Sequence, residues 1–129
     1  MPSEPIASPE VATPSGPYTP ATLAQGTRVL SISGQIAQGP DGRLVGADDA
    51  EEQTRQCLRN VDALLRAAGA RKEDVVRVGV YLTDMSDRAA VARARIEYFG
   101  EHKPAATLVE VSALVAPEFR VEIEATAVF

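Results

Sequence analysis

Apolar and polar positions along the chain follow two distinct periods, and the changes of period mark its elements. In RVLSISGQIA, residues 28–37, Val29, Ser31 and Ser33 alternate with Leu30 and Ile32, a period of two that predicts a strand. Gly34, near its end, predicts a bulge or a close backbone approach. GPDGRL reads as a turn in which Pro40 presets φ and Gly42 supplies a positive one. Leu44 and Val45 then resume an extended path, so a hairpin is expected.

From residue 50 the period lengthens. Cys57, Val61, Leu64, Leu65 and Ala68 recur at helical spacing opposite Arg55, Arg59, Asp62 and Arg66, which predicts an amphipathic helix over about 50–68. Asp48 or Asp49 can cap it, Glu51 and Glu52 suit its positive end, and Gly69 stands where a left-handed residue closes a helix. VVRVGVYLT, residues 75–83, is β-branched and apolar on both faces, as a central strand would be. A second helix starts at Ser86 or Asp87, passes through Val91, Ala94 and Tyr98, and stops near Gly100. Two strands end the chain, about 107–114 and 120–129. In the last, Val121, Ile123, Ala125 and Ala127 face one way and Glu122, Glu124 and Thr126 the other.

This order predicts an α+β fold in which two helices cover one face of a sheet of five or six strands. Because several strands look apolar on both sides, the second face needs cover from another copy or a closed barrel. An obligate homo-oligomer with sites between subunits is the expectation. Residues 1–15 hold four prolines and no periodic pattern, which predicts an extended or mobile arm ahead of a single domain over 16–129.

Composition narrows the chemistry. At 129 residues, with 45% hydrophobic and 24% charged residues, the chain is of one-domain globular size. Its apolar runs fall far short of the roughly 20 residues that cross a bilayer. The N-terminus lacks the basic and apolar regions of a secretory signal, so no membrane partner and a cytoplasmic address are expected. A formal charge of −5, with the 13 basic residues scattered, speaks against backbone-driven nucleic-acid binding. The lone cysteine, Cys57, excludes an intrachain disulfide and a cysteine-based zinc cluster, and its place on the helical stripe predicts a core thiol. With one histidine, a metal site would have to be carboxylate-rich, and no ligand spacing suggests one. That histidine, His102, falls after the second helix, where a dipole partner is the ordinary role.

Few residues suggest reactivity. Glu122 and Glu124 share a strand face with Arg120 and Thr126: either a solvated face, or, at an interface, a carboxylate with a raised pKa that moves protons to and from water. Tyr18, after Gly16 and Pro17, could offer its phenol to a ligand or close a core edge. Ser33 beside Gly34 could present a hydroxyl and a free amide to a ligand, or simply form the bulge. There is no Ser-His-Asp order, phosphate loop or HExxH.

Taken in order, GPYT, SISGQIA, QTRQCLRNVDALLRAAG, DVVRVGVYLTDM, EYF, PAATLVEVSAL and VEIEATAV resemble the reactive-intermediate deaminase family, Rid or YjgF-like, over about residues 14–129. The resemblance implies a chorismate-mutase-like α+β fold, assembled as a homotrimer around a central barrel with sites between subunits. It implies cofactor-free hydrolysis of small reactive enamines and imines, such as 2-aminoacrylate, to a keto acid and ammonia. It also implies that Tyr18, Ser33 and Glu122 line the pocket, the glutamate positioning and deprotonating water. Gly34 and the stretch Ala106, Thr107 and Leu108 would border the substrate. At Ala106 the chain departs from the pattern, because deaminating members carry there an arginine that grips the substrate carboxylate in a two-pronged pairing. Ala92, where many members have asparagine, and Leu108, where some have cysteine, are lesser departures. The resemblance thus implies a hydrolase for a substrate other than a small 2-imino acid, or a non-catalytic metabolite-binding trimer. The ribonuclease label that the family has also carried fits the acidic balance poorly.

Overall fold

The structure, a computed structural model, describes residues 3–129. Its main sheet has four strands: β3 (Val29–Gln35), β4 (Val75–Leu82), β5 (Ala105–Glu110) and β6 (Val121–Val128), in the spatial order β3-β6-β4-β5. A separate antiparallel pair joins β1 (Glu4–Ile6) to β2 (Ala21–Leu23), so part of the proline-rich arm lies in a ladder. The expected hairpin after β3 shrinks to one bridge, Gln38 to Leu44, because Gly39 and Gly42 close the turn at once and Val45 bonds back to Ala37. The main sheet is therefore narrower than the expected five or six strands. The 107–114 strand also begins two residues earlier and ends at Glu110.

Helix α1 (Ala50–Ala68) leads from β3 to β4, and α2 (Arg88–Phe99) from β4 to β5. The β4–β5 pair is parallel, and β6 runs antiparallel to both β3 and β4. Both helical crossovers thus step the same way across the sheet, and right-handed connection puts both helices on one face. Asp49 caps α1 by accepting the Glu52 amide at 3.0 Å, and Gly69, at φ 82°, ends it. Cys57, Val61 and Leu65 are buried as expected, but Leu64 is 41% exposed. The buried face turns instead through Leu58, Thr54 and Gln53, the last of which holds the carbonyls of Gly46 and Glu118. Ahead of α2, a short 3-10 turn over Met85–Asp87 moves the cap to Asp84, whose carboxylate accepts the Ser86 amide.

The core lies between sheet and helices. Val121, Ile123, Ala125 and Ala127 point into it beside Val78, Val80 and Leu82. The opposite sheet face is mixed and not apolar as expected: at β4 it presents Arg77, Gly79 and Tyr81, level with Glu124 and Glu122 of β6. Arg120 does not flank those glutamates. It precedes β6 and pairs with Asp87 at 3.1 Å.

Candidate functional site

The first cluster forms at the β5 edge. Thr19 bridges Ala105 in parallel fashion, and Thr22 donates its hydroxyl to the Val76 carbonyl at 2.6 Å, which seats the 16–22 segment along the sheet. Tyr18 is thereby brought beside Ala106, Thr107 and Leu108, and all four line a cavity of about 420 Å³. Register settles their directions. Ala106 and Leu108 sit level with Val78 and Val80 and pack toward the core, whereas Thr107 is level with Gly79. Across the cavity, α2 contributes Arg88, Ala92 and Arg95.

The second cluster forms where β3 meets β6. The ladder passes from Ile32 opposite Ala125 to Gln35 opposite Ile123, so Ser33 and Gly34 form the bulge expected there. Gly34 faces Glu122 so closely that a Cβ would stand 2.8 Å from the carboxylate carbon. Only glycine leaves this carboxylate its position. Its neighbour Glu124 is engaged otherwise: it accepts the Tyr81 hydroxyl at 2.7 Å and faces Arg77 at 3.6 Å. The hydrogen bond to Glu124, with burial, raises the Tyr81 pKa. Glu122 makes no hydrogen bond or ion pair among the described residues. Of the two glutamates, Glu122 is thus the one without a hydrogen-bonding or ion-pair partner among the described residues.

Within one chain these clusters stay apart. Tyr18 and residues 106–108 border β5, at one edge of the sheet, and Ser33 and Gly34 belong to β3, at the other. The cavity that Tyr18 lines is not lined by Glu122.

Two other single residues resolve plainly. His102 hydrogen-bonds the Val75 carbonyl through Nε2 at 2.8 Å and lies edge-on to Phe99, so it fastens the loop to β4 and does not serve as a helix-dipole partner. Cys57 is fully buried with its Sγ 3.7 Å from the Val121 carbonyl; burial first, then the Glu122 charge, pushes its thiol up to about 12. Among the described residues no group of three or more His, Cys, Asp or Glu is placed to hold a metal, and no helix is long and apolar enough to cross a membrane.

Sequence reasoning passed over Tyr81 and Arg95. Period two already put Arg77 and Tyr81 on one strand face, but only the β4–β6 register brings them to Glu124. Arg95 is 4% exposed, and its Nε and Nη2 are shut from water with no hydrogen-bond partner among the described residues. Burial lowers its pKa. A charged residue at a core-facing helix position was the available signal.

Residues 9–129 match the family model described as Endoribonuclease L-PSP. A RutC family protein of Pyrococcus horikoshii is 46% identical over 114 residues, 88% of each chain. Among solved structures, the Rid-family protein YyfB of Yersinia pestis, described as of unknown function, superposes over all of both chains with a TM-score of 0.88 at 38% identity. The YjgF gene product of E. coli superposes over 98% of each chain with a TM-score of 0.72 at 35% identity.

Proposed function

Because the chain belongs to the Endoribonuclease L-PSP family, the Rid/YjgF family of its solved relatives, we propose that it is a cofactor-independent hydrolase releasing ammonia from an enamine, imine or related C–N substrate. The observation that carries this reading is Glu122, held over Gly34 without an ion pair while Glu124 is engaged. In the proposed reaction an enamine first tautomerises to its imine. Glu122 then takes a proton from water as the water oxygen bonds to the imine carbon. It passes that proton to the nitrogen, giving a carbinolamine, and then relays the hydroxyl proton to the same nitrogen as the C–N bond breaks and the carbonyl forms, so C=NH and H₂O become C=O and NH₃.

Ser33 and Gly34 border the Glu122 side of the site, and Tyr18 with Ala106, Thr107 and Leu108 borders the other. These lie at opposite sheet edges, so a complete site requires a second copy, and a homotrimer with its sheets around a central barrel supplies one. Ala106 has no donor, so β5 offers the substrate no carboxylate grip and the standard short 2-imino acids are not the preferred substrates. That alanine also favours a second reading, a non-catalytic metabolite-binding trimer stabilised by its ligand without turnover.

The reaction is tested by ammonia release from imines generated in place by an amino-acid oxidase. Turnover that disappears in Glu122→Ala supports the hydrolase. Turnover surviving in that variant removes the glutamate from the mechanism, and ligand-induced stabilisation with no ammonia from any imine supports the binding trimer.

A further inference from the structure

Arg95 is an arginine in the wrong place for a structural residue. It stands on α2 among Val91, Ala94 and Phe99, all buried, and is itself 96% buried, being 4% exposed. The other arginines with side-chain contacts across α1 and α2, Arg55 and Arg93, are paired with glutamates. Among the described residues Arg95 has no such partner, and its Nε and Nη2 hydrogen-bond to nothing. A buried charge without a counter-charge is strongly unfavourable unless something supplies the missing pairing.

Arg95 lines the 420 Å³ cavity with Tyr18 and Ala106, and also an adjoining one of about 790 Å³. Neither wall carries an aspartate or glutamate. Their ionisable members are Tyr18, Arg88, Arg95, His102 and Lys103, so the field inside favours an anion. The two unpartnered nitrogens also share one edge of the guanidinium, with their N–H bonds nearly parallel. That edge accepts both oxygens of a carboxylate at once. Because Arg95 borders both cavities, the proposal requires only that this edge turn toward them.

We propose that Arg95 is the anion-binding residue of this site and that the substrate carries a carboxylate, held from α2 instead of from position 106. The proposal names the substrate class of the hydrolase argued above and rests on that reading only for the reacting end of the molecule. One guanidinium edge balances one carboxylate, and Arg88 at the rim adds steering charge. The grip has moved from strand to helix, so the reacting C–N group stands at a different offset from the carboxylate than in a site gripped from β5.

The test is calorimetric binding of pyruvate and 2-oxoglutarate, with their methyl esters as uncharged controls, to the full-length protein and to Arg95→Met and Arg95→Lys. The acids should bind and the esters should not. Arg95→Met should weaken acid binding on the order of a hundredfold, and Arg95→Lys, which keeps the charge and loses the fork, by about tenfold. Arg95→Lys also guards against a Met variant that fails to fold. Equal binding by wild type and both variants overturns the proposal, as does binding of inorganic phosphate but of neither carboxylate. So does a changed oligomeric state in the variants with carboxylate binding intact, since Arg95 would then pair with a second copy. Carboxylate binding that depends on Arg95 without ammonia release from any imine upholds Arg95 and rejects the hydrolase; ammonia release indifferent to Arg95 does the reverse.

Discussion

Gly34 and Glu122 face each other across the β3–β6 ladder with no room for a methyl group between them. In Gly34→Ala the new Cβ would collide first with the end of the Glu122 side chain, which can swing aside while the backbone stays. The fold should therefore survive and the carboxylate move by about an ångström, enough to cost on the order of a hundredfold in a positioned proton transfer. Thermal melts of Gly34→Ala within a few degrees of wild type, with ammonia release reduced toward the Glu122→Ala level, are expected. Full activity would mean that this carboxylate does not act from where it now stands.

Ala106 tests specificity from the opposite edge. Loss of a charge-assisted carboxylate contact is typically worth on the order of a hundredfold or more in binding. Ala106→Arg should accordingly raise ammonia release from short 2-imino acids, with the gain mainly in KM if the new side chain only binds. Wild-type protein that already processes these imines as fast as the arginine variant would refute the specificity assigned to Ala106.

The sequence carried the helices well because their signals are local. Asp49, Gly69 and the Cys57–Val61–Leu65 spacing fix α1 without reference to anything distant. The Ser33–Gly34 bulge was legible for the same reason. What escaped depended on pairing between remote segments. Tyr81 becomes a partner of Glu124 only through strand register, and β2 exists only because Glu4–Ile6 lies against it. Arg95 was hidden for a different reason: its spacing from Val91 sets it on the core-facing stripe, but Arg88, seven residues earlier, shares that face, and spacing alone does not tell which of the two guanidinium groups is drawn inward.

Gln53 illustrates a buried polar residue with a structural duty. Its amide nitrogen donates to the carbonyls of Gly46 and Glu118, both at 3.0 Å, and its carbonyl accepts the Arg120 amide at 2.8 Å. It therefore fastens the turn before α1 to the entry of β6. Gln53→Ala would strand these backbone groups and open a cavity, lowering the unfolding free energy by about 3 kcal/mol. Gln53→Leu restores volume without the bonds and should recover only part of that loss. Urea unfolding of both variants measures it, and a leucine variant as stable as wild type would show the bonds to be dispensable.

Cys57 gives the protein a predictable alkaline edge. Burial, and after it the Glu122 charge, pushes the folded thiol up to about 12, whereas an unfolded thiol ionises near about 8.5. Below the unfolded value the thiol is neutral in both states, and its contribution to stability is fully present. As pH rises from about 8.5 toward the folded value, unfolding releases a proton, the unfolded state binds fewer protons than the native one, and stability falls. The remaining ionisable groups are the same in wild type and in Cys57→Ala, so the difference between the two proteins isolates the thiol. Urea unfolding at pH 7, 8, 9 and 10 should find that difference constant up to about pH 8 and then shrinking, wild type losing ground to the alanine variant. The native thiol should also stay unreactive toward a disulfide reagent at pH 8 until denaturant is added. A native reaction as fast as that of free cysteine, or a pH-independent difference between the two proteins, would contradict the buried, neutral thiol beneath Glu122.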